Sequence, residues 1–187
     1  MPVHELVFRP GTAGDAPALH ALIASHQTEG HLLPRSLDEV RQHATNFVVC
    51  DVGGSIKACA ELTPLSPRLA EIRSLVVARD FRRVGVAARL VTELVNHARS
   101  VGLQQICALT HDPRFFVRHN FSIVPQVWLP EKIAKDCQNC PLFRTCGQHA
   151  VALPLRGTQI GSMTAVRHSR RAAQPRSAES SVLVLHR

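Results

Sequence analysis

Apolar and polar positions along this chain follow two alternating periods. Short apolar or alternating runs at residues 6–9, 47–50, 56–62, 71–77, 105–109, 121–125 and 150–155 predict β-strands. Between them the spacing becomes helical. Leu19, Leu22 and Ile23 share one face of a helix over 18–23 that follows the turn at 11–15, where Asp15 is the expected N-cap. Ser36 is placed to cap a short helix over 37–43. The strongest helix runs over 85–101, with Val86, Leu90, Leu94 and Val95 on a single stripe and Gly102 at its end. Shorter helical segments are expected at 113–119 and 130–136, and Gly53-Gly54 predicts a hairpin turn between the second and third strands. This order of strands and helices predicts an α/β (α+β) domain over 1–155. Its expected architecture is a mixed central sheet of six to seven strands with flanking helices. From 156 to 187 the periodicity disappears, and a basic, disordered tail is expected.

Charge changes that picture only slightly. Of the formal net charge of +8, the 156–187 segment contributes +5 through six arginines against Glu179. The remaining body is only mildly basic, which suits an anionic small molecule, and a nucleic-acid partner is not expected. No apolar run reaches the ~20 residues of a membrane helix. The first residues lack a basic stretch followed by an apolar one, so the expected location is cytoplasmic.

The segment from Leu75 to Ala88 carries the first chemistry. A strand ends at Leu75-Val76-Val77, a basic loop follows with Arg82, Arg83 and Val84, and a long helix opens at Gly85-Val86-Ala87-Ala88. Unpaired N–H groups at a helix start, together with the helix dipole, attract anions. Gly85 and the small Ala87 let a pyrophosphate approach the backbone, and Arg82 and Arg83 add charge-assisted donors. By themselves these residues also fit a plain strand–turn–helix. The spacing is not that of a Walker loop or a dinucleotide-binding glycine motif.

Arg82-x-x-Gly85-x-Ala87, followed by a strand, then Phe115-Phe116 and Asn120-Phe121, resembles the GNAT acetyltransferase superfamily. Asn120 stands where that family usually has Gly, a change that left-handed backbone angles tolerate. A narrower resemblance rests on Ala108-Leu109-Thr110 before Phe115-Phe116 and on three further segments. They are Glu71-Ile72-Arg73-Ser74-Leu75-Val76-Val77, Gly30-His31-Leu32-Leu33-Pro34-Arg35, and Asp136-Cys137-Gln138-Asn139-Cys140-Pro141. All four look like the short stand-alone bacterial N-acetylglutamate synthases. The resemblance implies a GNAT fold, acetyl-CoA as co-substrate bound at Leu75–Val77 and 82–88, and an amino acid, L-glutamate first, as acceptor. It also implies arginine biosynthesis as the setting.

The residues are consistent with that chemistry. Two carboxylates call for guanidinium forks, and Arg35 and Arg73 are the candidates. Strand alternation puts Arg73 on one face with Glu71 and Leu75. Glu71 is the candidate base for the acceptor ammonium, directly or through water. The alternatives are a surface or salt-bridged role for each arginine and a Glu71–Arg73 pair. Tyr is absent from the chain. Since Phe115 or Phe116 stands where related enzymes place a Tyr, the departing thiolate is expected to be reprotonated by water ahead of His111 or His119.

Six cysteines divide into two groups. Cys50, Cys59 and Cys107 fall in apolar strands and read as buried small hydrophobes. Cys137, Cys140, Cys146 and His149, within the segment 136–149, have spacing that suits zinc. Three cysteines with an outside ligand would suit an iron–sulfur cluster, and a metal-free thiol pair is the rival. Other amines as acceptors, a non-catalytic module responding to acetyl-CoA or metal, and a homodimer all remain open at this level.

Overall fold

The computed structural model describes residues 5–27 and 32–155. The expected tail, and the 30–31 portion of the Leu-Pro-Arg loop, lie outside them. Seven strands form one sheet: β1 (Val7–Pro10), β2 (Phe47–Val52), β3 (Ser55–Pro64), β4 (Leu69–Val77), β5 (Gln105–Thr110), β6 (Ser122–Val124) and β7 (His149–Pro154). Their spatial order is β1-β2-β3-β4-β5-β7-β6. The helices are α1 (Ala16–Ser25), α2 (Leu37–Gln42), α3 (Val86–Ser100), α4 (Arg114–Val117) and α5 (Pro130–Lys132). Element types and approximate positions follow the periodicity of the sequence.

All neighbouring strand pairs are antiparallel except β4–β5, which is parallel and joined through α3. A parallel pair needs such a crossover. This pair is short: β4 meets β5 only from Leu69 to Glu71, although both strands continue. Beyond Glu71, β4 remains paired to β3 and β5 to β7, so the sheet splits between them.

The two faces bury different helices. Val86, Leu90, Val91, Leu94, Val95 and Ala98 of α3 pack with Ala58, Ala60, Leu62, Ala70, Ile72, Ile106 and Phe116 on one face. Leu19 and Ile23 of α1 and Val40 of α2 pack with Phe47, Val49, Cys59 and Val76 on the other. Each large apolar side chain buried in this way contributes about 1.5–3 kcal/mol.

Asp15 stands at the N-cap of α1, but its side chain does not cap that helix. It accepts from Arg9 (Nη1–Oδ2, 2.8 Å) and from the Thr12 backbone N–H (2.8 Å). Arg9 also donates to Asp51 (2.9 Å), so the pairing ties β1 to β2 and to the start of α1. At 130–136 the single expected helix becomes α5 followed by a π-helical turn over Ile133–Cys137.

Candidate acetyl-CoA and acceptor site

The strand β4 builds the site, and a bulge within it decides which way its side chains face. Cys59 of β3 lies opposite Val76, yet Glu61 lies opposite Arg73, so β4 carries one extra residue between these pairs. Ser74 sits in this bulge with φ +47°. One added residue exchanges the two faces of a strand. Before the bulge, Ala70 and Ile72 point to the α3 face; after it, Leu75 and Val77 do, while Val76 turns toward α1 and α2. Glu71 and Arg73 therefore share a face, as the alternation predicts, but Leu75 is on the opposite one. That part of the sequence reading is corrected.

Past the bulge lies a cavity of about 600 Å³, lined by Leu75, Val76, Val77, Arg82, Arg83, Gly85, Val86, Ala87 and Ala88. These are nine of the ten residues expected to hold the cofactor. The tenth, Val84, points to solvent at 64% exposure. Gly85 has φ +87° and is the N-cap of α3, so the chain turns sharply and the first N–H groups of the helix face the cavity loop. Arg83 also adopts a left-handed φ of +66°. Arg82 folds back and its Nε donates to the Val77 carbonyl at 3.0 Å. Two adjacent arginines beside a helix N-terminus form an anion-binding arrangement.

Sequence reasoning did not assign His26, Phe81 or Arg118 to this cavity, although all three line it, together with Leu32 and Phe115. Phe115 packs edge-on against Phe116 and against His119, with ring centroids at 5.2 Å and 4.7 Å. Asn120 has φ +68°, the left-handed conformation expected of it, which lets the chain turn from α4 into Phe121. Only the fold brings α1 and α4 to the mouth of the sheet split, and no local pattern marks those side chains.

On the α1/α2 face, beside the split, two ionic networks meet. Glu61 is fully buried; it accepts from His43 Nδ1 at 3.0 Å and from Arg35 Nη1. Arg35 also donates to Glu39 (2.9 Å) and Ser74 Oγ (3.2 Å), and its guanidinium lies over the Phe47 ring. In the second network Glu71, 3% exposed, accepts on Oε2 from Arg73 Nε and from Lys132 Nζ (2.8 Å). Arg73 Nη2 and Lys132 Nζ (3.0 Å) both donate to Asp136 Oδ2. Burial works against the Arg73 charge, but the carboxylates of Glu71, Asp136 and Glu61 outweigh it together and hold its pKa above the ordinary value.

Arg35 and Arg73 thus stand on one face near the split, and each is engaged by carboxylates of the protein itself. The sequence reading gave no site role to Glu61 or Lys132, and Asp136 entered it only within the segment 136–141 that carries the resemblance. Glu61 was hidden in the apolar run of β3, where a charge buried on one sheet face leaves no periodic signal.

The cysteine segment does not gather as expected. Cys137 ends the π-helical turn, and the Cys140 N–H bonds to its carbonyl at 3.0 Å. Cys146 Sγ lies 3.9 Å from Gln126 Nε2, whereas His149 is exposed and held in β7 by its register with Thr110. Among the described residues no three His, Cys, Asp or Glu side chains are placed to hold a metal ion. The expected zinc or iron–sulfur site at Cys137, Cys140, Cys146 and His149 is therefore corrected to a set of free thiols. Strand pairing fixes His149 independently of the thiol loop. Cys50, Cys59 and Cys107 are buried, as expected. Among the described residues no helix is long and apolar enough to cross a membrane.

Comparison with known proteins places this geometry in context. An uncharacterized N-acetyltransferase of Chlorobaculum tepidum is 30% identical over 155 residues, covering 83% of this chain and all of that protein. The amino-acid acetyltransferase of Neisseria meningitidis is 29% identical over 131 residues, which is 69% of this chain but only 30% of the relative. Among solved structures, the N-acetylglutamate synthase of Neisseria gonorrhoeae, complexed with coenzyme A and N-acetyl-glutamate, superposes with a TM-score of 0.72 at 26% identity. That match covers 81% of this chain and 35% of the synthase. A Mycobacterium tuberculosis protein in complex with CoA and NLQ gives a TM-score of 0.68 at 25% identity, over 80% of this chain and 99% of that one. This chain thus spans about a third of the length of the Neisseria proteins. The sequence model of the acetyltransferase (GNAT) family matches residues 17–121, the stretch from α1 through the split sheet to Phe121, and the chain belongs to that family.

Proposed function

We propose that this protein transfers acetyl from acetyl-CoA to the α-amine of an amino acid, with L-glutamate as the acceptor. The observation that carries the reading is the cavity at the sheet split, lined by the anion-binding loop and by Leu75–Val77 of the same strand that holds Glu71 and Arg73 just before the bulge. The relatives named for amino-acid acetylation, and the coenzyme A and N-acetyl-glutamate of the gonococcal synthase, support it.

In this reading the pyrophosphate lies against the N–H groups opening α3, near Arg82 and Arg83. The pantetheine arm runs along Leu75–Val77, where β4 has lost its β5 partner and can offer backbone groups to a ligand. The acceptor enters on the Arg73 face. Its ammonium must lose a proton before the nitrogen attacks the thioester carbonyl. Glu71 is the base of the proposal, acting through water, because Arg73 and Lys132 both hold its Oε2. The tetrahedral intermediate collapses to the amide and a thiolate. A thiol pKa of about 8.5 lets that thiolate leave with little assistance, and water returns the proton.

Release of free coenzyme A thiol across a panel of amino acids tests the proposal. L-Glutamate should exceed L-glutamine in kcat/KM by about 10- to 150-fold, the effect of one charge-assisted hydrogen bond. Equal rates, or preference for glutamine, would remove the dicarboxylate acceptor. One observation favours the broader reading of a different amine acceptor: Arg35 is already bonded to Glu39, Glu61 and Ser74.

A further inference from the structure

The segment from Pro130 to His149 crosses the sheet face without burying a single side chain in the core. Polar contacts hold its first part down: Lys132 to Glu71, Asp136 to Arg73, and Lys135 Nζ to the Pro64 carbonyl at 2.6 Å. Asp136 lies in a π-helical turn, closed by the Gln138 N–H bonding to the Ile133 carbonyl at 3.0 Å. Such turns are rare and recur at functional sites.

The four charges are not equivalent. The Glu71 side chain is 4% exposed and Lys132 12%, but Arg73 is 24% and Asp136 31%. Glu71 is therefore the buried counter-ion of the resting site and neutralises one of the two cations. The second cation is neutralised from the solvent side by Asp136, whose Oδ2 receives both Arg73 Nη2 and Lys132 Nζ. Without Asp136 the two cations keep only Glu71 as a directly bonded carboxylate, and Glu61 acts on Arg73 only at longer range, so two donors converge on one open point. That arrangement binds a carboxylate. Only the bulged Ser74 separates Arg73 from Leu75, where the cavity begins.

We propose that Arg73 and Lys132 form a receptor for the side-chain carboxylate of the acceptor, and that Asp136 is an internal carboxylate occupying this receptor until the acceptor displaces it. The inference rests on the amino-acid acceptor of the preceding section. It adds Lys132 as a binding residue and makes the Asp136 turn a competitor that sets how tightly acceptors bind. Displacement also frees the turn, since Asp136 is one of its few ties to the sheet. Amino-acid amides lacking the matching carboxylate would not displace it.

The test compares wild type, Asp136→Asn and Lys132→Met with saturating acetyl-CoA. Steady-state titration with L-glutamate and L-glutamine is paired with calorimetric titration of the same ligands into the coenzyme A complex. Melting temperature monitors folding, and Asp136→Ser serves as a second variant. Asp136→Asn should lower KM and Kd for glutamate about two- to fivefold, the range set by removing a partly exposed competing ion pair. KM for acetyl-CoA and the glutamine values should stay in place. Lys132→Met should raise KM for glutamate about tenfold or more. A KM for glutamate that rises or stays constant in both Asp136 variants overturns the inference, because Asp136 would then orient Arg73 rather than compete for it. If wild type acetylates neither amino acid, the proposed function falls while calorimetry still decides this point. Glutamate binding tightened by Asp136→Asn supports the receptor, and unchanged binding overturns it.

Discussion

Replacing Gly85 by Glu isolates the anion loop from everything else in the fold. In the free protein the substitution has three consequences. The residue must keep φ +87°, which costs an L side chain about 1–2 kcal/mol. A Cβ added there meets no atom within 4 Å, so there is no steric term. The carboxylate stands at the N-terminus of α3, where the helix dipole returns about 0.3–1 kcal/mol. The sum is a loss of about 1 kcal/mol, or roughly 2–4 °C in Tm for a chain of this size. Binding responds differently. A carboxylate at the helix start occupies the place of a phosphate and sets like charges together. Loss of even two charge-assisted hydrogen bonds removes about 3–6 kcal/mol, so coenzyme A affinity should fall at least ~150-fold. Calorimetry with coenzyme A and a thermal melt on the same sample read both effects. A folded Gly85→Glu protein whose Kd stays within about threefold of wild type would refute the assignment of this loop to the pyrophosphate.

Other consequences follow from the ionic networks and thiols. Glu61→Ala leaves the Arg35 guanidinium, 9% exposed, without its buried partner and should cost about 3 kcal/mol in urea unfolding; a loss under ~1 kcal/mol would mean that Glu39 and Ser74 suffice. The Arg9 guanidinium holds the Asp15 carboxyl well below the ordinary carboxylate range. That pairing stabilises the fold above the unfolded pKa of about 4 and is lost as pH falls through the lower folded value. Asp15→Asn should accordingly flatten the acid limb of a stability–pH curve below about pH 4, and an unaltered limb would contradict the linkage. Burial pushes the Cys59 and Cys107 thiols up to about 12, and Cys50 is also buried, so an alkylating reagent at about pH 8 should modify Cys137, Cys140 and Cys146 first. Mass spectrometry showing early modification of Cys59 or Cys107 would contradict the packing of β3 or β5.

Local pattern alone determined much of this protein. Period-2 and helical runs located the strands and the α3 stripe, because each element must bury one face and its residues repeat accordingly. Arg82, Gly85 and Ala87 lie within one turn of chain, so an anion loop was legible without the fold. Asn120 could be expected to adopt a left-handed angle because few other side chains accept one. Tertiary structure decided what depends on residues far apart in sequence. The bulge at Ser74 reversed the facing of Leu75, an effect set by strand register with β3 rather than by any local signal. Arg35 and Arg73 read as candidate acceptor-binding residues and Glu71 as a candidate base, yet only folding brought Glu61, Lys132 and Asp136 against them. The cysteine spacing suggested a metal, but His149 belongs to β7, and the strand's hydrogen bonds hold it there whatever the thiols do. Spacing along a chain constrains neighbours on one element; the partner of a charge across a sheet is fixed only when the sheet forms.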